Sequence, residues 1–111
     1  MKRDDRVTLT QILERIERIE TSGVDKAHFL DQSWDQDALI RNLEVIGEAT
    51  KRLSNATRER APEIEWSQVA GFRDVAIHGY DTVSLERTWA IVEKELPRLK
   101  RTVRRLLRNL E

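Results

Sequence analysis

The sequence predicts an all-α fold, an antiparallel helical bundle of four to five helices. Leu, Ile, Glu and Arg are abundant while the 111 residues hold only four glycines and two prolines, a composition that favours helices over sheets. Apolar residues recur at three- and four-residue steps through several long stretches, which is helix periodicity. The connections between those stretches are short, which suits antiparallel neighbours.

The first helix is expected from about Asp5 to Thr21, with Val7, Leu9, Ile12, Ile16 and Ile19 as its apolar stripe and Ser22-Gly23 ending it. "VDKAHFLDQSWD" is short and polar, with Phe29, Leu30 and Trp34 as anchors and room for one helical turn. The second long helix is expected from Asp35 or Asp37 to about Leu53, with Leu39, Leu43, Ile46, Thr50 and Leu53 along one side. Residues 54–66, with Asn55, Pro62 and mixed charge, suit a loop or short turn better than a continuous helix. Ser67 can cap a third helix, Gln68–His78, whose Val69, Phe72 and Ala76 face inward and which Gly79 can stop in the left-handed conformation. Ser84 can cap the last helix, where Leu85, Trp89, Val92, Leu96, Leu99, Val103, Leu106 and Leu110 form the most regular seam in the chain. Pro97 removes the N–H that would bond to the Glu93 carbonyl, so a kink is expected there. The terminal seam can pack within the chain or pair two chains.

A chain of this length has room for one core, so residues 1–111 are read as a single domain. Without cysteine there is no disulfide framework and no thiolate metal site, and two histidines give little basis for zinc. Neither a metal nor a cofactor is expected. The charged start at Met1–Arg6 does not resemble a signal peptide, and no apolar run approaches the roughly 20 residues of a membrane helix. A soluble, cytoplasmic protein is expected. Twenty basic residues balance twenty acidic ones, so net charge makes no case for nucleic acid. The distribution is uneven, however: Arg98, Lys100, Arg101, Arg104, Arg105 and Arg108 lie in a stretch to Leu110 that holds no acid.

The segment "FRDVAIHGYD", residues 72–81, gathers Arg73, Asp74, His78 and Tyr80 at the predicted end of the third helix. Four residues apart, Asp74 and His78 share a helix face, so the carboxylate can hold one imidazole tautomer. Arg73 is five before His78, about 140° round and about 7.5 Å along, so one helix alone makes a poor site. Metal-free RNA cleavage needs a base for the 2′-hydroxyl proton, an acid for the leaving oxygen and positive charge on the phosphate. A single histidine does not cover both proton transfers. Two chains meeting about a twofold axis would supply two histidines and two arginines.

Each of these residues also has an ordinary reading. A histidine in the last turn before a helix-stopping glycine is favoured by the helix dipole; Arg73 alone reads as an ion-pair partner and Tyr80 as a half-buried ring. His28, in a polar connection, reads as solvent-facing and without a partner. Arg98, Arg101, Arg105 and Arg108 follow one side of the terminal seam while Lys100 and Arg104 follow the other, as solvated margins do. Their rival role is contact with a phosphate backbone, for which Arg98, Lys100, Arg101 and Arg104 are the candidates. Trp34, Trp66 and Trp89 read as core or interface anchors.

Together "RNLEVIGEATKRLS" (41–54), "PEIEW" (62–66), "GFRDVAIHGYDTV" (71–83) and "LERTWAIVEKELPRLK" (85–100) resemble the HepT family of the HEPN superfamily. The diagnostic part is an arginine, four residues, a histidine, one residue and a tyrosine, met by Arg73, His78 and Tyr80. The resemblance implies a helical homodimer with both motifs lining one interfacial cleft that cuts RNA without metal. It further implies the toxin of a type VII-like toxin–antitoxin pair. The partner would be a cognate minimal nucleotidyltransferase that transfers AMP from ATP to the motif tyrosine, Tyr80. Where the family often has asparagine after the motif arginine, this chain has Asp74, which could orient His78 and could also compete with RNA for Arg73.

On that basis Arg73 and His78 are the expected catalytic residues, Asp74 supports His78, and Tyr80 is the modification site. Two rivals differ in class. One is a non-catalytic accessory subunit that docks on a nucleotidyltransferase and presents its substrate. The other is a helical dimeriser whose arginine-rich end binds nucleic acid backbones.

Overall fold

The computed structural model describes residues 3–72, 74 and 82–109; Arg73, His78 and Tyr80 lie outside them. Among the described residues the regular elements are helical: α1 (Arg3–Thr21), α2 (Lys26–Asp31), α3 (Ser33–Thr50), α4 (Asn55–Glu59), α5 (Trp66–Ala70) and α6 (Thr82–Ala90). A π-helical turn (Ile91–Glu95) then leads into α7 (Leu96–Arg108). The all-α expectation holds.

In α1, Leu9, Ile12, Ile16 and Ile19 are buried as their spacing requires. Val7 is 65% exposed, because a two-residue step turns the helix by about 200° and places it across the axis from Leu9. The stripe extends instead to Asp5, four residues before Leu9 and only 2% exposed. Its carboxylate accepts the Ser54 N–H at 3.0 Å, the Ser54 hydroxyl at 2.6 Å and the Thr57 hydroxyl at 2.6 Å. Ser54 in turn caps α4 by accepting the Thr57 N–H at 3.3 Å. A carboxylate 49 residues away thus organises a short helix where composition alone suggests a loop. Asp5→Ala strands those donors in a buried site, and we expect it to cost about 3 kcal/mol. The check is a fall in the urea unfolding midpoint at unchanged m-value; a change of only about 0.5 kcal/mol, the size of a surface substitution, would refute the role.

Side-chain pairs set the helix directions. Arg15 donates to Asn42 at 3.2 Å and Arg52 to Gln11 at 2.6 Å, so α1 and α3 run antiparallel. Lys100 reaches Glu20 at the end of α1, while Arg105 pairs with Glu63 between α4 and α5, so α7 is antiparallel to α1 as well. Helix α1 therefore packs between α3 and α7. The core runs through Leu9, Ile12 and Ile16, Leu43 and Ile46, and Leu99, Val103 and Leu106, all nearly inaccessible. Phe29 of α2 is fully buried, with its ring centroid 5.6 Å from that of Trp89.

Helix α3 starts two residues before the earlier of its expected starts and stops at Thr50, not Leu53. Arg58 donates to the Thr50 carbonyl at 2.8 Å and so satisfies one group at the helix end. Leu53 lies past that end yet is buried. Trp34 is 84% exposed and is no core anchor within the chain; nine residues separate it from Leu43, which puts the two on opposite faces. Trp66 does anchor the core, donating its indole N–H to the Ala61 carbonyl at 3.1 Å and the Arg58 carbonyl at 3.2 Å.

The expected Gln68–His78 helix is interrupted by a turn at Gly71, with Phe72 and Asp74 again helical; residues 73 and 75–78 lie outside the described residues. Helix α5 begins at Trp66, with Glu65 at the cap position and Ser67 inside the first turn. The Gly71 N–H bonds to the Ser67 and Gln68 carbonyls, each at 3.1 Å, where α5 ends. Ala76 and Gly79 lie outside the described residues. Ser84 likewise lies inside α6, two residues after its start.

The disturbance expected at Pro97 takes a specific form. The proline supplies no N–H to the carbonyl of Glu93, and the turn before it widens so that the Leu96 N–H reaches the Ile91 carbonyl, five residues back. Before this turn Leu85 is buried while Trp89 and Val92 are partly buried; after it Leu96, Leu99, Val103 and Leu106 are fully in the core.

Candidate active site

The described scaffold leads in sequence into the motif. Helix α3 presents Gly47 to α5 so closely that a Cβ there would stand 3.0 Å from the Ala70 carbonyl oxygen and 3.3 Å from that of Val69. Two backbones meet so closely that even a methyl group would require the facing chain to give by a few tenths of an ångström. From Ala70 the chain passes through Gly71 to Phe72, which is 3% exposed and part of the core. Asp74 is exposed, and its N–H donates to the Gly71 carbonyl at 2.9 Å. Buried Phe72 and exposed Asp74 thus flank Arg73 in the chain. The Asp74–His78 pairing, the roles of Arg73 and His78 and the place of Tyr80 all fall outside the described residues.

The four backbone-contact candidates divide into two kinds. Arg98 donates to the Glu63 carbonyl and Lys100 pairs with Glu20 at 2.6 Å. Arg105 pairs with the Glu63 carboxylate at 2.7 Å and donates to the Arg60 carbonyl at 3.1 Å. The Glu63 carboxyl is held below its ordinary range, first by a hydrogen bond from its own backbone N–H and then by Arg105, with the charge of Arg98 adding to it. Arg101 and Arg104 are exposed and make no hydrogen bond or ion pair with the described residues.

His28 does have a partner. Its Nδ1 lies 2.7 Å from the carboxylate of Asp25, which also caps α2 by accepting the His28 N–H at 2.9 Å. The hydrogen bond to Asp25 raises the imidazole pKa, and the two His28 hydrogen bonds lower that of Asp25. Both side chains are exposed, so this is a helix cap and not a buried catalytic pair. No cluster of three or more metal-ligating side chains occurs among the described residues, and none of the described helices is long and apolar enough to cross a membrane.

Gly47 is the position that reading the sequence passed over. A helix-interior glycine registers there only as a weak spot, and its purpose shows only when the facing carbonyl is known.

An all-helical scaffold leading into an Arg-x4-His-x-Tyr segment belongs to a recognised class. The ribonuclease HepT-like family model matches residues 10–106, and the chain belongs to that family. A Thermococcus cleftensis protein named "probable ribonuclease HepT" is 40% identical over 102 residues, covering 90% of this chain and 93% of the relative. A Methanocaldococcus jannaschii protein named "gamma-glutamylcyclotransferase and putative RNase" is 39% identical over 113 residues; the match takes in all of this chain but only 51% of that protein. A second protein of that organism, named "putative RNase", is 34% identical over 92% of this chain and 95% of its own length. No solved structure matches the chain.

Proposed function

We propose that the chain is a metal-independent endoribonuclease that acts as a homodimer, with Arg73 and His78 of both protomers in one cleft. The observation that carries this reading is the family match across residues 10–106, which contains the whole motif. In the proposed reaction one His78 removes the proton of a ribose 2′-hydroxyl. The freed oxygen attacks the adjacent phosphorus, the bond to the 5′-oxygen breaks, and a second His78 protonates that leaving oxygen. The Arg73 guanidinium groups balance the charge that builds on the phosphoryl oxygens. Asp74 holds the imidazole in one tautomer. A dimer is needed because the two proton transfers require two imidazoles and each chain has one in the motif.

The regulatory half of the proposal is a toxin–antitoxin pairing. A minimal nucleotidyltransferase would transfer AMP to Tyr80: the phenolic oxygen attacks the α-phosphorus of ATP, pyrophosphate leaves, and the phenolic proton passes to a base of the transferase. Phosphates added beside Arg73 and His78 would fill a cationic cleft and repel an RNA backbone.

The test is RNA cleavage by the purified chain in the presence of a chelator, before and after treatment with the transferase and ATP. Cleavage is expected before treatment and its loss after. Tyr80→Phe is expected to cut RNA throughout and to gain no nucleotide by mass spectrometry. A wild-type chain that takes up AMP but never cuts RNA would establish the accessory-subunit reading instead.

A further inference from the structure

In α7 no acidic residue occurs, yet its cations are not equivalent. Glu63 and Glu20, contributed by other segments, engage Arg98, Arg105 and Lys100. Arg101, Arg104 and Arg108 are exposed and make no ion pair or hydrogen bond with the described residues. On a helix these three fall within about 60° of one another and span about 10 Å of its length. They form one continuous stripe on the side opposite Leu99, Val103 and Leu106, which face the core.

Simple solvation does not account for this arrangement. Elsewhere the chain places opposite charges near one another, as in Arg41–Glu44 and Lys51–Glu48, each three residues apart. Like charges at three- and four-residue spacing weaken a helix, and Arg101–Arg104 and Arg104–Arg108 stand at those spacings. The helix dipole offsets part of that cost for Arg108 in the last turn but not for Arg101. All three are arginine, whose planar fork pairs with phosphate through two parallel hydrogen bonds. A row of guanidinium groups that no acid among the described residues neutralises, on a chain of zero net charge, has an anionic polymer as its complement.

We propose that Arg101, Arg104 and Arg108 form a binding stripe for the phosphate backbone of single-stranded RNA, separate in sequence from the Arg73–His78 motif. This inference rests on the ribonuclease reading and adds to it a substrate-holding surface on α7. The stripe contacts phosphates and not bases, so it strengthens binding without choosing a sequence.

The experiment uses a labelled single-stranded RNA of mixed sequence whose 2′-hydroxyls are methylated, so that it binds without being cut. Affinity is measured for the full chain between about 50 and 200 mM salt. The variant combines Arg101→Gln, Arg104→Gln and Arg108→Gln. Its control combines Arg18→Gln, Arg41→Gln and Lys51→Gln, which removes the same charge from α1, α3 and the turn after α3. The stripe variant is expected to bind at least about tenfold more weakly at the low-salt end, with a salt slope shallower by about 2, the value for three lost phosphate contacts. Its melting temperature should equal or exceed that of the wild type, since repulsion within α7 is relieved. Equal weakening by the control, or an unchanged slope in the stripe variant, would overturn the stripe. Cleavage of ordinary RNA by the wild type, measured alongside, would leave the ribonuclease reading standing in that case. A wild type that neither binds nor cuts RNA would remove both.

Discussion

Replacing His78 with alanine is expected to lower RNA cleavage by the purified chain by on the order of 10²- to 10⁴-fold, the range that a positioned acid–base group contributes. The effect should sit near the top of that range. In the proposed dimer the substitution removes both imidazoles, so the 2′-hydroxyl loses its base and the leaving oxygen its acid together. Binding should persist, because phosphate contacts from arginine do not depend on the imidazole. The measurement is single-turnover cleavage beside a binding assay with non-cleavable RNA. A variant that still cuts within about tenfold of wild type would take His78 out of the proton transfers. Mixing wild-type and variant chains sharpens the result. A shared cleft predicts that heterodimers are impaired, whereas independent sites predict half the wild-type rate.

The parts of the fold that show in the sequence are those held by many repeated contacts of one kind. Leu9, Ile12, Ile16 and Ile19 in α1, and Leu96 to Leu106 in α7, repeat over enough turns that helix periodicity alone identifies their buried faces. Short elements do not show in this way. Helix α4 has five residues and owes its start to Ser54, held in turn by Asp5 from 49 residues earlier in the chain. Helix α5 is as short and starts at Trp66, whose indole is fixed by carbonyls of the preceding turn. Long-range partners also explain the basic end. Nothing near Lys100 in sequence says that Glu20 will neutralise it, or that Glu63 will serve both Arg98 and Arg105 while Arg101 and Arg104 find no partner among the described residues. The candidate site has the reverse character. Arg73, His78 and Tyr80 are legible as a motif through spacing and family resemblance, because chemistry demands particular residue types. The scaffold that delivers them, Gly47 against α5 and Phe72 in the core, is visible only in three dimensions.

That scaffold leads to the second large effect, in which stability and activity should part company. Gly47→Ala gains about 1 kcal/mol from helix propensity but adds a methyl group 3.0 Å from the Ala70 carbonyl oxygen. Overpacking of this kind costs about 1–3 kcal/mol, so the net loss of stability should be about 1 kcal/mol, and the protein stays folded. Because the obstacle is backbone oxygen and not a flexible side chain, α5 itself must shift away from α3. Helix α5 leads through Gly71 and Phe72 directly into Arg73, so the shift is passed toward the motif. Misplacing catalytic groups by about 1 Å can cost on the order of 10²-fold in rate; relief of a 3.0 Å approach needs only a fraction of that shift, and cleavage is expected to fall by roughly 3- to 10-fold. Asp5→Ala is the counter-case. It should lose more stability, since its hydroxyl and amide partners are buried, yet it acts at the α1–α4 contact and not at the α3–α5 approach. Assayed at a temperature where both variants are folded, Asp5→Ala should cut RNA faster than Gly47→Ala despite its lower unfolding midpoint. If activity instead follows stability in the two variants, the close approach at Gly47 serves packing alone and does not set the position of the site.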